Sequence, residues 1–92
     1  MAVSRAERRA EREPRFVAVF GEENAARALD LLELVEFAWH DCYHEITPPE
    51  EIVDDILLLS GGSLDGLISA ARLAMTDWRD LKLAAAARRN RP

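Results

Sequence analysis

The sequence predicts an all-α protein, a small helical bundle of two long helices, one short helix and an N-terminal helical arm. Apolar residues recur at intervals of three and four through most of the 92 positions, which is the spacing of an amphipathic helix. Residues 47–49 and 60–63 are rich in proline, glycine and hydroxyl side chains, so they divide the helices. Only residues 16–20 have the composition of a strand. A single strand without a partner cannot complete its backbone hydrogen bonds, so these residues are expected to be helical as well.

Length and composition predict a single domain. A chain of 92 residues has room for one domain with a thin core. Its hydrophobic content of 49% is enough for a packed fold, and its charged content of 32% suits helices with one solvated face. We divide the chain into a basic N-terminal arm (residues 1–15), a helical bundle (residues 16–88) and a basic C-terminal tail (residues 89–92).

The arm is expected to begin with a capping box, in which Ser4 accepts a hydrogen bond from the backbone of Glu7 and Glu7 reaches back. Pro14 is expected to end this helix, because proline lacks the amide donor and restricts the residue before it. Residues 16–20 are expected to follow as a separate helical turn that ends at Gly21.

A second helix is predicted from about residue 22 to residue 45, with an apolar surface that covers more than half of its circumference. One arc holds Ala28, Leu31, Leu34, Val35, Ala38, Cys42 and Ile46, and Leu29, Leu32, Trp39 and Tyr43 extend it. Cys42 is therefore expected in the core. A helix with one neighbour needs a narrower apolar stripe, so this helix is expected to be central. Because one subunit offers little to cover it, the pattern predicts a homodimer.

Two more helices are expected after this one. Thr47 is predicted as the N-cap of a short helix, with Glu50 closing a capping box, and this helix runs to about residue 59. Ser63 is predicted to cap the last helix, residues 64–88, whose apolar residues keep helical spacing to its end.

Cysteine use and hydropathy predict a cytoplasmic protein without membrane contact. The single Cys42 cannot form an internal disulfide, whereas small secreted domains usually need several. The N-terminal residues alternate arginine with glutamate and lack the apolar stretch of a signal peptide. No apolar run approaches the ~20 residues that span a bilayer.

Charge is distributed unevenly along the chain. Residues 1–15 hold five arginines and three glutamates, residues 16–87 carry a net charge of −10, and three more arginines follow.

The arginines of the arm are Arg5, Arg8, Arg9, Arg12 and Arg15. They could neutralise phosphates, but the interleaved glutamates favour ion pairs along a solvated helix, and the arm has no aromatic residue for base stacking. Nucleic-acid binding is therefore disfavoured, and the alternative is an arm packed on the acidic body of its own or a second subunit.

The most suggestive cluster for chemistry is Glu36, His40 and His44. Residues four apart project from the same side of a helix, so the two histidines have the spacing of a metal pair, and Glu36 adds a carboxylate one turn earlier. A complete coordination shell needs a further ligand from elsewhere, and the sequence has no third histidine. The favoured alternative is an ordinary solvated polar face without a metal.

No enzyme chemistry and no cofactor are predicted. Cys42 lies two residues from either histidine and thus on another side of the helix, where it behaves as a small hydrophobe. The acidic pairs at positions 50/51, 54/55 and 77/80 are typical of a solvated helix surface or the first turn of a helix. Residues 61–63 precede a helix but lack the spacing and the lysine of a phosphate-binding loop.

Three apolar residues stand on otherwise polar helix faces, namely Phe37, Leu58 and Leu73. If they converge, they form an exposed patch of the kind that marks an interface. The other large aromatic residues, Trp39, Tyr43 and Trp78, are predicted as core residues rather than as a ligand cage.

Together these patterns favour a small non-enzymatic helical interaction module that self-associates and binds a protein partner. A metal- or small-ligand-binding protein that uses Glu36, His40 and His44 is the alternative. A nucleic-acid accessory protein that acts through the arginine-rich ends is a third hypothesis.

Overall fold

Five helices lie within residues 3–91, the part of the chain that the computed structural model describes. In chain order they are α1 (Arg5–Phe20), α2 (Glu22–Tyr43), α3 (Glu50–Ser60), α4 (Leu64–Thr76) and α5 (Trp78–Arg89). There is no strand among these residues, so the all-α prediction is confirmed. None of the five described helices combines the length and the apolar character that a bilayer crossing needs. Met1, Ala2 and Pro92, which belong to the predicted arm and tail, lie outside the described residues, and the division into arm, bundle and tail stays a prediction.

Helix α1 begins at the predicted capping box. Ser4 Oγ accepts a hydrogen bond from the backbone nitrogen of Glu7 at 3.1 Å, and the backbone nitrogen of Ser4 donates to the Glu7 carboxylate at 3.4 Å. The pair satisfies two of the amide groups that a helix start leaves free. The prediction for this end of α1 is confirmed.

The predicted end of the arm helix at Pro14 is wrong, because α1 continues through this proline to Phe20. An interior proline costs about 3 kcal/mol, since it removes a hydrogen bond and crowds the preceding turn. Arg12 and Phe16, on either side of Pro14, are both buried, and their contacts hold the chain in helical form across the proline. Residues 16–20 are helical as predicted, but they are the last turn of α1 rather than a separate element.

Helix α2 follows after Gly21, whose φ is +83°. Glycine adopts this backbone conformation without strain because it has no Cβ. The 22 residues of α2 match the predicted span closely. The helix ends at Tyr43, and His44 follows as its C-cap with a left-handed backbone. The His44 nitrogen donates to His40 O at 2.8 Å. Helix α1 packs along one side of α2, and α4 packs against another.

Helices α3, α4 and α5 form the second half of the molecule, and each packs against the other two. One hydrophobic cluster joins the two halves, and every helix supplies at least one fully buried side chain to it. These side chains include Phe16 from α1, Ala28 from α2, Ile56 from α3, Leu67 from α4 and Leu81 from α5. The core therefore lies between all five helices and links the two halves.

The start of α3 differs from the prediction. The helix begins at Glu50 with Pro49 at the N-cap position, so the capping box predicted for Thr47 and Glu50 is wrong. Thr47 Oγ1 instead accepts a hydrogen bond from Arg12 Nη2 at 3.2 Å, and Glu50 Oε1 accepts from the same nitrogen at 3.0 Å. An arginine of α1 thus binds both of the residues that were expected to cap α3.

The predicted last helix, residues 64–88, is two helices. Asp77 interrupts it with an extended backbone, and its carboxylate accepts hydrogen bonds from the backbone nitrogens of Arg79 at 3.0 Å and Asp80 at 3.3 Å. Asp77 is therefore the N-cap of α5. The periodic apolar residues continue across this break, so periodicity alone predicted one helix. The predicted Ser63 cap is confirmed, since Ser63 Oγ accepts from the first turn of α4 at 2.9 Å.

Candidate functional site

Glu36, the carboxylate of the predicted metal trio, lies buried between α1 and α2. Its side chain is 3% exposed, and its Oε2 accepts hydrogen bonds from Arg8 Nε at 2.7 Å and from Arg12 Nη1 at 3.2 Å. The buried Leu32 and Trp39 stand four residues before it and three after it, so helical spacing places Glu36 inside the covered arc of α2. Two guanidinium groups of α1 hold this carboxylate.

Glu36 belongs to a larger set that we call the arginine network, which consists of Arg8, Arg12 and Arg15 with Glu36, Thr47, Glu50 and Asp54. Arg12 is its centre, because this buried side chain links Glu36 of α2 to Glu50 at the start of α3. Arg15 continues the network to the surface, at 3.2 Å from Glu50 and 2.6 Å from Asp54. The described residues contain no buried side-chain nitrogen or oxygen without a hydrogen-bond partner. A buried ion pair needs this completeness to be stabilising.

The network lowers the pKa of two of its carboxylates. Burial by itself raises the pKa of Glu36, but hydrogen bonds from Arg8, Thr47 and Arg12 and the positive charge of Arg8 outweigh it, so this pKa lies below its ordinary value of 4.5. Burial likewise opposes the shift at Glu50, where Arg12 and Arg15 lower the pKa. Both groups are therefore ionised at neutral pH.

The two histidines of the predicted metal trio lie in a different environment from Glu36. His40 is in the last turn of α2 and His44 follows the helix, and both side chains are exposed. Glu36 faces the arginines in the interior instead. Within residues 3–91, no three histidine, cysteine, aspartate or glutamate side chains gather closely enough to hold a metal ion. Metal binding by this trio stays a prediction.

Two further sequence expectations are wrong. Cys42 was expected in the core, but its side chain is exposed, because the helices packed on α2 do not reach this part of its apolar arc. Asp55 was expected on a solvated surface, but it is buried, with Arg89 Nη2 at 2.8 Å and Lys82 Nζ at 3.9 Å from its carboxylate. Since α3 and α5 pack together, basic residues of α5 reach this aspartate.

The three predicted partner residues lie on three helices and are exposed to different degrees. Phe37 of α2 is 48% exposed, and the Arg5 guanidinium lies 4.2 Å from the centre of its ring. Leu58 of α3 and Leu73 of α4 are half-buried, and Leu73 packs against the core. A shared patch of these three residues stays a prediction.

A different apolar surface is open in the single subunit, along the line where α2 meets α4. We call it the α2–α4 face, and it contains a groove of about 310 Å³. The groove is lined by Leu31, Leu34, Val35, Ala38, Ile68, Ala71, Arg72, Met75 and Thr76. Leu34 is 62% exposed and Ile68 is 43% exposed. The described residues that line the groove include no carboxylate.

Opposite charges stand at the two ends of this face. Arg27 and Asp41 lie seven residues before and after Leu34, close to two full turns in each direction, so the three residues form one line along α2. Both charged side chains are exposed, and within residues 3–91 neither takes part in an ion pair. The line is therefore positive at one end, apolar in the middle and negative at the other end.

Comparison of the chain with protein-family models, with curated proteins and with solved structures gives no significant match. Two features of the site were not predicted, although the sequence holds a signal for each. Glu36 has Leu32 and Trp39 at helical spacing, which marks it as buried, and Arg27 and Asp41 flank Leu34 at equal distances.

Proposed function

We propose that the protein is a non-enzymatic helical interaction module that works as a homodimer, in which the α2–α4 faces of two copies pack together. The observation that carries this proposal is the apolar centre of the face, where Leu34 and Ile68 are exposed in one subunit. Exposed apolar residues that stand singly are normal in a monomer. Here they lie along one groove with half-buried apolar neighbours, and a contiguous surface of this kind is typical of an interface.

The charges at the ends of the face favour a second copy of this chain as its occupant. When two α2 helices run antiparallel and cross at Leu34, Arg27 of each copy faces Asp41 of the partner subunit, so the surface is complementary to itself. A shallow crossing of about 20°, which is common between packed helices, keeps both ends within reach of an arginine side chain. The net charge of −5 makes two copies repel each other. The groove itself adds no negative charge to this repulsion, because none of its described lining residues is a carboxylate.

Sedimentation equilibrium between about 1 and about 100 µM tests the proposal through the concentration dependence of mass. We expect the wild type to be dimeric and Leu34→Lys, which puts a charge at the centre of the face, to be monomeric throughout. Leu83→Lys is the matched control, since Leu83 is 69% exposed on α5 and lies outside the groove. It should stay dimeric. A wild type that is monomeric at the highest concentration, or a Leu34→Lys variant that still dimerises, would overturn the proposal.

A charge exchange tests the antiparallel arrangement separately. Arg27→Glu places like charges opposite each other at both ends of the dimer, as does Asp41→Arg, so each should weaken dimerisation by about fivefold or more. The double variant restores opposite charges and should return the dissociation constant to near the wild-type value. Two single effects that simply add in the double variant would rule out this register.

A further inference from the structure

A second cavity lies at the opposite end of α2 from Arg27, and it shares no lining residue with the α2–α4 groove. It has a volume of about 260 Å³ and sits where the end of α2, the segment before α3 and the first turns of α3 and α5 come together. Its walls include Trp39, Tyr43 and Trp78. These three residues are all of the tryptophan and tyrosine in the sequence. We call this cavity the aromatic pocket.

The aromatic side chains of the pocket come from two helices. Trp39 and Tyr43 are one turn apart on α2, with ring centres 4.4 Å apart and planes tilted by 47°. Trp78 begins α5 and is half-buried, and the buried Ile52 of α3 adds an apolar wall. The sequence analysis predicted all three aromatic residues in the core. Of the three, Trp39 alone is buried, and Tyr43 is 38% exposed. Aromatic surface is therefore accessible from the pocket.

The charge at the pocket mouth is negative. Glu45 Oε1 accepts a hydrogen bond from Trp39 Nε1 at 3.0 Å, so a neutral donor fixes this carboxylate at the mouth. Within residues 3–91 no ion pair links Glu45 to a basic side chain. Lys82, the basic residue of the lining, already binds Glu51 at 3.0 Å and lies 3.9 Å from Asp55. The charge of Lys82 is thus compensated, while that of Glu45 is not.

We propose that the aromatic pocket binds an organic cation with apolar substituents, of the quaternary ammonium class. The faces of tryptophan and tyrosine rings attract cations, and this attraction increases when the cation is desolvated. The negative charge of the Glu45 carboxylate also attracts the cation. A quaternary ammonium group has no N–H donor, so it loses no hydrogen bond to water when it enters the pocket. An anion would meet Glu45 and Glu51 at the same mouth. The Arg79 guanidinium lies 5.2 Å from the centre of the Trp78 ring, which is within the range of a cation–π contact. The Trp78 ring thus already attracts one cation of the chain itself.

Tryptophan fluorescence tests the proposal directly, because both tryptophans of the chain line the pocket. The probe is choline, and its matched control is 3,3-dimethyl-1-butanol, which has the same shape without the charge. We expect choline, at constant ionic strength, to change the emission with a saturable curve below about 100 mM. The neutral analogue should bind about tenfold more weakly, which is the size of a partly desolvated cation–π contribution. Absence of saturable binding by choline, or equal affinity for the two compounds, overturns the proposal, and the second result would identify a purely apolar site.

A pair of variants isolates the role of Glu45. Glu45→Gln keeps an oxygen that can accept from Trp39 Nε1 and removes the charge, so it should weaken choline binding severalfold and leave the affinity for the neutral analogue unchanged. Glu23→Gln makes the same change in net charge at the other end of α2, about 30 Å away, and should bind choline like the wild type. Equal choline affinity in both variants overturns the assignment of Glu45. Circular dichroism of each variant confirms that the fold is intact.

Discussion

Helix α2 has two sides with contrasting surroundings. Towards α1 it presents Glu36, a buried carboxylate that Arg8 and Arg12 bind at 2.7 and 3.2 Å. Towards the open edge of α4 it presents Leu34, an apolar side chain that is 62% exposed. The charged residue is thus inside and the apolar residue outside, the reverse of what residue type alone would suggest. The identity of the neighbouring element, rather than hydrophobicity, decides the burial of each.

The arginine network, rather than the apolar core alone, holds the two halves of the chain in register. An apolar contact is non-directional, so it fixes position weakly. The arginine network is directional, because Arg12 must reach Glu36 of α2 and Glu50 of α3 at once. It therefore fixes α1 against α2 in the first half of the molecule and against α3 in the second half. The open face lacks such a constraint within the subunit and can accept a second copy.

The largest loss of stability is expected from removing the buried carboxylate of Glu36. Glu36→Ala removes the shared acceptor of Arg8 and Arg12 and leaves the buried Arg12 without it, so the free energy of unfolding should fall by about 3 kcal/mol. Chemical denaturation followed by circular dichroism measures this loss.

The matched control for this change is Glu33→Ala on the same helix. Glu33 is 30% exposed and contacts Arg9 at 3.2 Å, and a surface ion pair of this kind contributes less than about 1 kcal/mol. If the two variants are destabilised equally, the buried network has no special role. A double variant in which apolar residues replace both Arg12 and Glu36 should recover part of the loss, because no unpaired charge is then buried.

A smaller effect is expected from acid. The pKa of Glu36 is lower in the folded protein than its ordinary value of 4.5, so the unfolded chain binds a proton more readily. The stabilisation by this group is therefore complete above pH 4.5 and is lost as the pH falls below that value towards the folded pKa. Glu50 adds a contribution of the same sign. Denaturation measured from neutral pH to about pH 3 should show this loss, and Glu36→Gln should reduce it. An equally steep loss in that variant would assign the acid sensitivity to other carboxylates.

Local patterns were sufficient to predict much of the fold. The helical class, the span of α2, the capping box at Ser4 and the cap at Ser63 all depend on residues within a turn or two of each other. The predicted break at Pro14 failed because Arg12 and Phe16 are anchored by residues far away in sequence. A local sequence pattern cannot predict contacts between residues that are far apart in the sequence.

The same reason explains the errors in the site. Thr47 and Glu50 have the spacing of a capping box, but Arg12 binds both, and this arginine is more than thirty positions away from each. The burial of Glu36 could have been predicted from Leu32 and Trp39, since it shares their arc of the helix. The aromatic pocket could not have been predicted in this way, because Trp78 joins Trp39 in its lining only once the chain has turned at Asp77.

The smallest effect is expected on the open side of α2. Leu34→Ala removes a side chain that one subunit leaves 62% exposed, so the free energy of unfolding of the dilute monomer should change by less than about 0.5 kcal/mol. Leu32→Ala makes the same substitution two residues earlier, where the side chain is 2% exposed, and should cost about 3 kcal/mol. Raising the protein concentration should stabilise the wild type by mass action and should stabilise Leu34→Ala less. A Leu34→Ala variant that is strongly destabilised at every concentration would mean that this leucine is already covered within the subunit, and the contrast between the two sides of α2 would disappear.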